Sequence, residues 1–191
     1  MLFPRIIPCL LIKDNGLVKT VNFKDPVYVG DPINAVKIFN EKQADELIVI
    51  DIDATKNSVE PNYELISHFA MESRMPLCYG GGIKSASQAL KILSMGVEKV
   101  ALSSAAIENP NIVSEISQIV GNQSIIVVLD IKKKILSNSY DIYTHNAKNK
   151  VSMNLFDAIE NFENLGCGEL VINSIDQDGM MNGYEKKIIR K

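Results

Sequence analysis

The sequence predicts a parallel (β/α)8 TIM-type barrel of two duplicated half-barrels, truncated here after about strand six. Short apolar runs alternate with longer amphipathic segments, the order of a βαβα sheet. Ile6–Lys13 (IIPCLLIK) lines up with Ile125–Lys132 (IIVVLDIK) at an offset of 119, and Ala44–Ile50 (ADELIVI) with Cys167–Asn173 (CGELVIN) at 123. Two echoes at nearly one spacing indicate a repeated half of about 120 residues. A full double copy runs to roughly 250 residues, whereas this chain has 191. The counterparts of Met75–Gly82 and Glu98–Ser104 fall past residue 191, so strands seven and eight are expected to be absent. Residues 1–191 then read as one incomplete barrel domain.

The elements follow in order. Arg5 to Leu11 is a strand apolar enough to be buried on both faces. A long polar connection follows, with an alternating piece from Val18 to Phe23 that predicts a small hairpin. Asp31-Pro32 opens a helix, Asp as N-cap and Pro in the first turn, with Ile33, Val36, Ile38 and Phe39 as its inward stripe. Glu46 to Asp51 is the second strand, Asp53 to Asn62 a polar loop, and Tyr63 to Ser73 a helix. Met75 to Tyr79 is the third strand, ended by Gly80-Gly81-Gly82. Ser85 caps a helix that stops near Met95-Gly96. Glu98 to Leu102 is the fourth strand, and Asn109-Pro110 opens the next helix. Ser124 to Asp130 is the fifth strand, Lys132 to Lys150 a hairpin-like insertion, Leu155 to Leu165 a helix and Gly168 to Asn173 the sixth strand.

A net charge of −3 gives no bulk attraction for a nucleic-acid backbone. The clusters Lys132-Lys133-Lys134, Lys186-Lys187 and Arg190-Lys191 read as solvated segments. Cys9, Cys78 and Cys167 form no CxxC or Cys/His pattern, and two of them lie in apolar runs. They read as small core residues in a reduced compartment, with no metal site. No apolar run approaches a membrane span and no signal pattern opens the chain, which points to a soluble, cytoplasmic protein.

In a parallel barrel the functional groups stand at the C-terminal ends of the strands. Those ends carry Leu11, Lys13 and Asp14; Asp51 and Asp53; Gly80, Gly81 and Gly82; Ser103 and Ser104; Asp130 and Lys132; and Asn173, Asp176 and Asp178. Carboxylates converging on one rim can share proton transfer, since proximity spreads their pKa values. Asp130 ends an otherwise apolar run and is the foremost candidate. The triple glycine before a Ser-capped helix can offer backbone N–H groups to an anion, and Ser103-Ser104 add hydroxyls on the neighbouring loop: together they predict a phosphate site. At the opposite end stand Arg5, Glu46, Lys99 and Glu169, either a salt-bridged plug across the barrel bottom or independent surface pairs. His68 on a helix and His145 in a loop lack a ligand partner in the sequence.

The segments RIIPCL, IKDNGLVK, ADELIVIDIDA, LCYGGGI, KVALSSAAIENP, VVLDIK, GCGELVINSIDQDG and Gly183-Tyr184 together resemble the cyclase subunit of imidazole glycerol phosphate synthase, along essentially the whole chain. The resemblance implies a barrel of duplicated halves that acts on a phosphorylated sugar-type substrate in histidine biosynthesis. Its ammonia would come from a glutaminase subunit docked at the barrel bottom; no cofactor is implied. It makes Asp130 a catalytic acid/base, places Lys19 on a mobile loop over the substrate, and sets Asp51, Asp176 and Asp178 along the site. Gly81 and Gly82 with Ser103 and Ser104 would bind a phosphate, although the family usually has Asn at position 103. Arg5, Glu46, Lys99 and Glu169 match an ammonia gate.

Position 11 departs from the family, whose cyclases carry a second catalytic Asp where this chain has Leu11. Some relatives of the family channel ammonia to the amidation of a surface-glycan sugar. A kept gate with a lost acid fits that branch, or a non-catalytic partner of a glutaminase.

Overall fold

The computed structural model describes residues 4–135, 137 and 139–189, and Arg190 and Lys191 lie outside that set. Its organisation follows from strand alternation, clearest in β4 (Leu47–Asp51). Leu47 and Val49 point to the larger core cluster under the helices, whereas Ile48 and Ile50 join a second cluster on the inner face. That inner cluster also holds Cys78, Ala101 and Ile126, with Ile7, Val128 and Val171 packed against them.

Six strands run parallel in the order β1 (Cys9–Lys13), β4, β5 (Leu77–Gly80), β6 (Lys99–Leu102), β7 (Ile125–Lys133), β10 (Glu169–Ser174). The other four described strands extend two of them. Hairpin β2 (Gly16–Val21) and β3 (Lys24–Gly30) folds back on the end of β1, and β8 (Tyr140–Thr144) with β9 (Asn149–Val151) on the end of β7. Helices α1 (Pro32–Glu41), α2 (Tyr63–Glu72), α3 (Ala86–Ser94), α5 (Asn111–Val120) and α6 (Leu155–Asn164) lie in the connections, with a short α4 (Ser104–Glu108) after β6 and α7 (Lys186–Ile189) near the end. No described helix is long and apolar enough to cross a membrane.

The register reproduces the repeat. Leu11 pairs with Val18 and Ile50, and Asp130 with Tyr143 and Asn173. Leu11 and Asp130 are 119 positions apart, Ile50 and Asn173 are 123, the two offsets of the sequence echoes.

Several boundaries differ from the sequence reading. The first ladder starts at Cys9 rather than Arg5, because Arg5–Pro8 lies before it as an extended entry. β7 continues to Lys133, drawn past Asp130 by its antiparallel pairing with β8. The inward face of α1 is Pro32, Ala35 and Val36, while Ile38 is exposed. Asp31 and Ser85 cap their helices as expected and Asn62 caps α2 as well, each accepting a backbone N–H three residues on.

Two-residue turns close β1–β2 and β2–β3. Asp14-Asn15 and Asn22-Phe23 all have positive φ, as tight hairpin turns with the strand twist require. Phe23 is unusual there and has outside support, since its N–H donates to Asp178 Oδ2 at 2.9 Å and the Asn22 N–H to Asp178 O at 3.0 Å.

Candidate functional site

The lower mouth of the sheet is sealed by charge. Glu46, 1% exposed, accepts from Arg5 Nη1 at 2.9 Å and from Lys99 Nζ at 2.8 Å, both on Oε2. Glu169 Oε1 accepts from Arg5 Nη2 and Lys99 Nζ, each at 2.9 Å. Acids and bases thus alternate around a closed four-membered ring. Arg5 precedes β1 and Glu169 opens β10, the two ends of the parallel set. Six flat strands would separate those ends by roughly 24 Å at the usual spacing. One Arg–Glu contact spans them, so the sheet is curled almost into a barrel. Burial opposes the Lys99 charge, but hydrogen bonds to Glu46 and Glu169 outweigh it and raise the pKa. Burial likewise pushes the Glu169 carboxyl up, and Lys99 and Arg5 outweigh that and bring it below the ordinary range. Glu46 Oε1 is buried without a partner.

Above the ring lies the apolar inner cluster, and above that the upper rim. Asp130 is half-buried there on the inner parity of β7, shared with Ile126 and Val128. Its Oδ1 accepts from Asn173 Nδ2 at 3.0 Å. Burial raises the carboxyl to about 7; the Asn173 hydrogen bond lowers it, and the charge of Asp178 raises it further. A carboxyl titrating near neutrality can hold or release a proton under ordinary conditions. Leu11 takes the equivalent place on β1, so the apolar side chain faces the same lumen. Cys9, one inner position below Leu11, has surface open to solvent rather than lying in the core, while Cys78 is buried. Cys9 nonetheless faces the narrow lumen, and the protein enclosing it there pushes the thiol up to about 12, with Asp130 and Asp178 adding to the effect.

Asp178 stands beside Asp130 and also holds the first hairpin, accepting from Thr20 Oγ1 at 2.8 Å and from the Phe23 N–H. Thr20 is buried and faces it, so the neighbouring Lys19 lies on the outward, exposed face of β2. Asp176 Oδ2 accepts from the Lys133 N–H at 2.8 Å and anchors the second hairpin. Asp51 turns its Oδ1 to the Asp53 and Ala54 N–H groups, both at 3.0 Å. It caps its own loop, and desolvation raises its pKa despite those bonds. The structure therefore bonds Asp130 to Asn173 and places the charge of Asp178 near enough to act on it. It turns Lys19 outward, and it ties one carboxylate oxygen of Asp51 and one of Asp176 to backbone N–H groups.

The glycine run is required by close packing. A Cβ at Gly81 (φ +109°) would collide with the Asp51 carbonyl, and one at Gly82 (φ +74°) would press on Ala54 and Val59. The Gly82 N–H points to Thr55 Oγ1 at 3.4 Å, a long bond that leaves the donor weakly used. On the adjacent loop, Ser103 Oγ is buried and has no partner. Ser104 Oγ accepts from the His145 N–H at 3.3 Å. The tip of β8–β9 had no signal in the sequence, because its reach over other loops depends on tertiary structure alone. Among the described residues, no three His, Cys, Asp or Glu side chains converge as a metal ion requires.

The chain matches the family described as histidine biosynthesis protein over residues 5–191. It is 56% identical to a Leptospira borgpetersenii protein with the provisional name imidazole glycerol phosphate synthase subunit HisF, over all 191 residues and 75% of that protein. A similarly provisional HisF-type subunit of Vibrio vulnificus is 52% identical over the whole chain and 74% of its own length. The imidazole glycerol phosphate synthase subunit HisF of Lactococcus lactis subsp. lactis is 39% identical, with 99% of this chain and 73% of the relative covered. The duplicated register, the charged ring and these matches agree: the chain belongs to the histidine biosynthesis family, within its HisF cyclase-subunit line.

Proposed function

We propose that this chain is the ammonia-accepting, cyclase-type subunit of a glutamine-dependent imidazole glycerol phosphate synthase-like enzyme. A glutaminase partner docks below the charged ring. Ammonia crosses the ring and the apolar inner cluster, and a phosphorylated sugar-type substrate receives it at the Asp130 rim. The alternating ring carries this reading. Four charges from four separate strand ends neutralise one another at the mouth of an apolar passage, so the seal carries no net charge and one swung side chain opens it. A neutral solute crosses the apolar stretch with little penalty, whereas an ammonium ion loses its hydration there. At the upper end Asp130 serves as the proton-handling group, with Asn173 orienting its carboxylate.

Leu11 favours a second reading. Its place on β1 corresponds by register to that of Asp130, and a leucine there can neither move a proton nor hydrogen-bond a hydroxyl. Loss of a general acid or base typically costs about 10²–10⁴-fold in rate. Ring closure is then weakened while delivery of ammonia is untouched, which suits amidation of a surface-glycan sugar. Complementation of a histidine auxotroph lacking its cyclase subunit separates the two. Growth with the unaltered chain establishes the first. No growth with it, but growth with Leu11→Asp, establishes the divergent use. Glutamine hydrolysis unchanged by Asp130→Asn, together with product formation that also survives it, overturns both and leaves a non-catalytic partner.

A further inference from the structure

We infer that the tip of the β8–β9 hairpin is a clamp over the phosphate-binding rim, and that His145 is a further ligand for the substrate's phosphate group; the inference rests on the phosphate site proposed at Gly82, Ser103 and Ser104. The tip leaves its own strands and touches two separate barrel loops. Asn146 Nδ2 donates to Ile52 O beyond β4 at 2.9 Å, and the His145 N–H donates to Ser104 Oγ beyond β6. The triple glycine starts on the last residue of β5, the strand between those two, so the tip bridges the rim on which Gly82 and Ser103 stand.

His145, Asn146 and Ala147 have φ of 54°, 56° and 61°, the left-handed region that tight hairpin turns use, and the Lys148 N–H closes the turn on Thr144 O at 3.1 Å. The contacts to the two barrel loops fix where this turn sits.

The imidazole is set up to donate outward. Asn149 Nδ2, a donor only, lies 3.4 Å from His145 Nδ1, and Thr144 Oγ1 lies 3.1 Å from the same nitrogen. With Nδ1 accepting from these two groups, the Nε2–H is left to donate. Nε2 faces Glu108 Oε1 at 3.6 Å, beyond hydrogen-bond length, and that carboxylate is 61% exposed. Such an exposed pair is weak and readily exchanged. Glu108 ends the short α4 that Ser104 opens, so the imidazole stands within a side chain's length of the serines. Ser103 Oγ, buried and unpartnered, supplies the complementary donor. A phosphate monoester entering here takes the Ser103 and Ser104 hydroxyls from below and the His145 Nε2–H from the clamp, displacing Glu108.

The test is titration calorimetry of the full chain with inorganic phosphate. Ser103→Ala is expected to abolish measurable binding. His145→Ala is expected to weaken it about tenfold and His145→Gln, which keeps a donor, to restore most of it. Glu108→Gln removes the competitor and is expected to tighten binding several-fold, with that gain absent in the His145→Ala background. Binding lost in Ser103→Ala but unchanged in His145→Ala overturns the clamp and leaves the phosphate site standing. An equal gain from Glu108→Gln with or without His145 also overturns it, since a general charge effect explains that result. No binding by the unaltered chain overturns the phosphate site and the clamp together.

Discussion

Replacing Asp130 by asparagine tests the rim electrostatics through stability as well as activity. The folded-state carboxyl is raised from 3.8 to about 7, chiefly by burial. Between those values the folded chain binds more protons than the unfolded chain, so stability falls as pH rises through that window and the full penalty is present above about 7. At about 1.36 kcal/mol per pH unit the ceiling is about 4 kcal/mol. Water reaches the half-buried rim, and screening brings the expected penalty to about 1–2 kcal/mol. The asparagine amide keeps an acceptor for Asn173 but carries no charge. Urea unfolding of Asp130→Asn against the unaltered chain is therefore expected to show no difference at pH 4 and a gain of about 1–2 kcal/mol at pH 8. Product formation falls at the same time. A gain of equal size at both pH values, or a loss at pH 8, refutes the argument that Asp130 is held protonated by its surroundings.

Two further outcomes follow from the anchors at either end of the sheet. Lys99→Met leaves the buried Glu46 with Arg5 alone and is expected to cost about 3 kcal/mol, much of it recovered in the double variant Lys99→Met/Glu46→Gln; a double variant no better than the single removes the ring's mutual neutralisation as the cause. Asp178→Ala removes two charge-assisted bonds to the first hairpin, so amide exchange at residues 20–24 is expected to accelerate at least tenfold and the Asp130 pKa to fall; unchanged exchange there places the hairpin's anchor elsewhere.

How much of this was legible in the sequence depends on the range of the interaction. The strands were readable because alternation is local, and the repeat because two strands at equivalent places bury equivalent faces. The ring of Arg5, Glu46, Lys99 and Glu169 could be located at strand starts from sequence, yet whether it closed depended on curvature, a property of the whole sheet. Asp130 could be picked as a carboxylate ending an apolar run. Asp51 and Asp176 looked the same in sequence, but local geometry turned them to backbone N–H groups at their own and a neighbouring loop. Asn173 was readable as a strand-end group, but its bond to Asp130 depends on the β7–β10 register, and Thr20 carried no signal beyond a polar residue on an alternating strand. His145 was unreadable for a different reason: its partners Ser104 and Glu108 lie about 40 positions away and meet it only once the β8–β9 hairpin folds inward.

The two ends of the parallel set, β1 and β10, are held together by different chemistry at bottom and top. No ladder joins them among the described residues. Below, Arg5 reaches Glu169 in a ring whose charges compensate. Above, the first hairpin reaches the loop after β10 through Asp178, the same carboxylate whose charge acts on Asp130. The bonds of Asp178 to Thr20 and Phe23 and its charge beside Asp130 therefore meet in one side chain. Asp178→Ala is expected to free the first hairpin and to lower the Asp130 pKa together, and a change in one without the other separates the two effects.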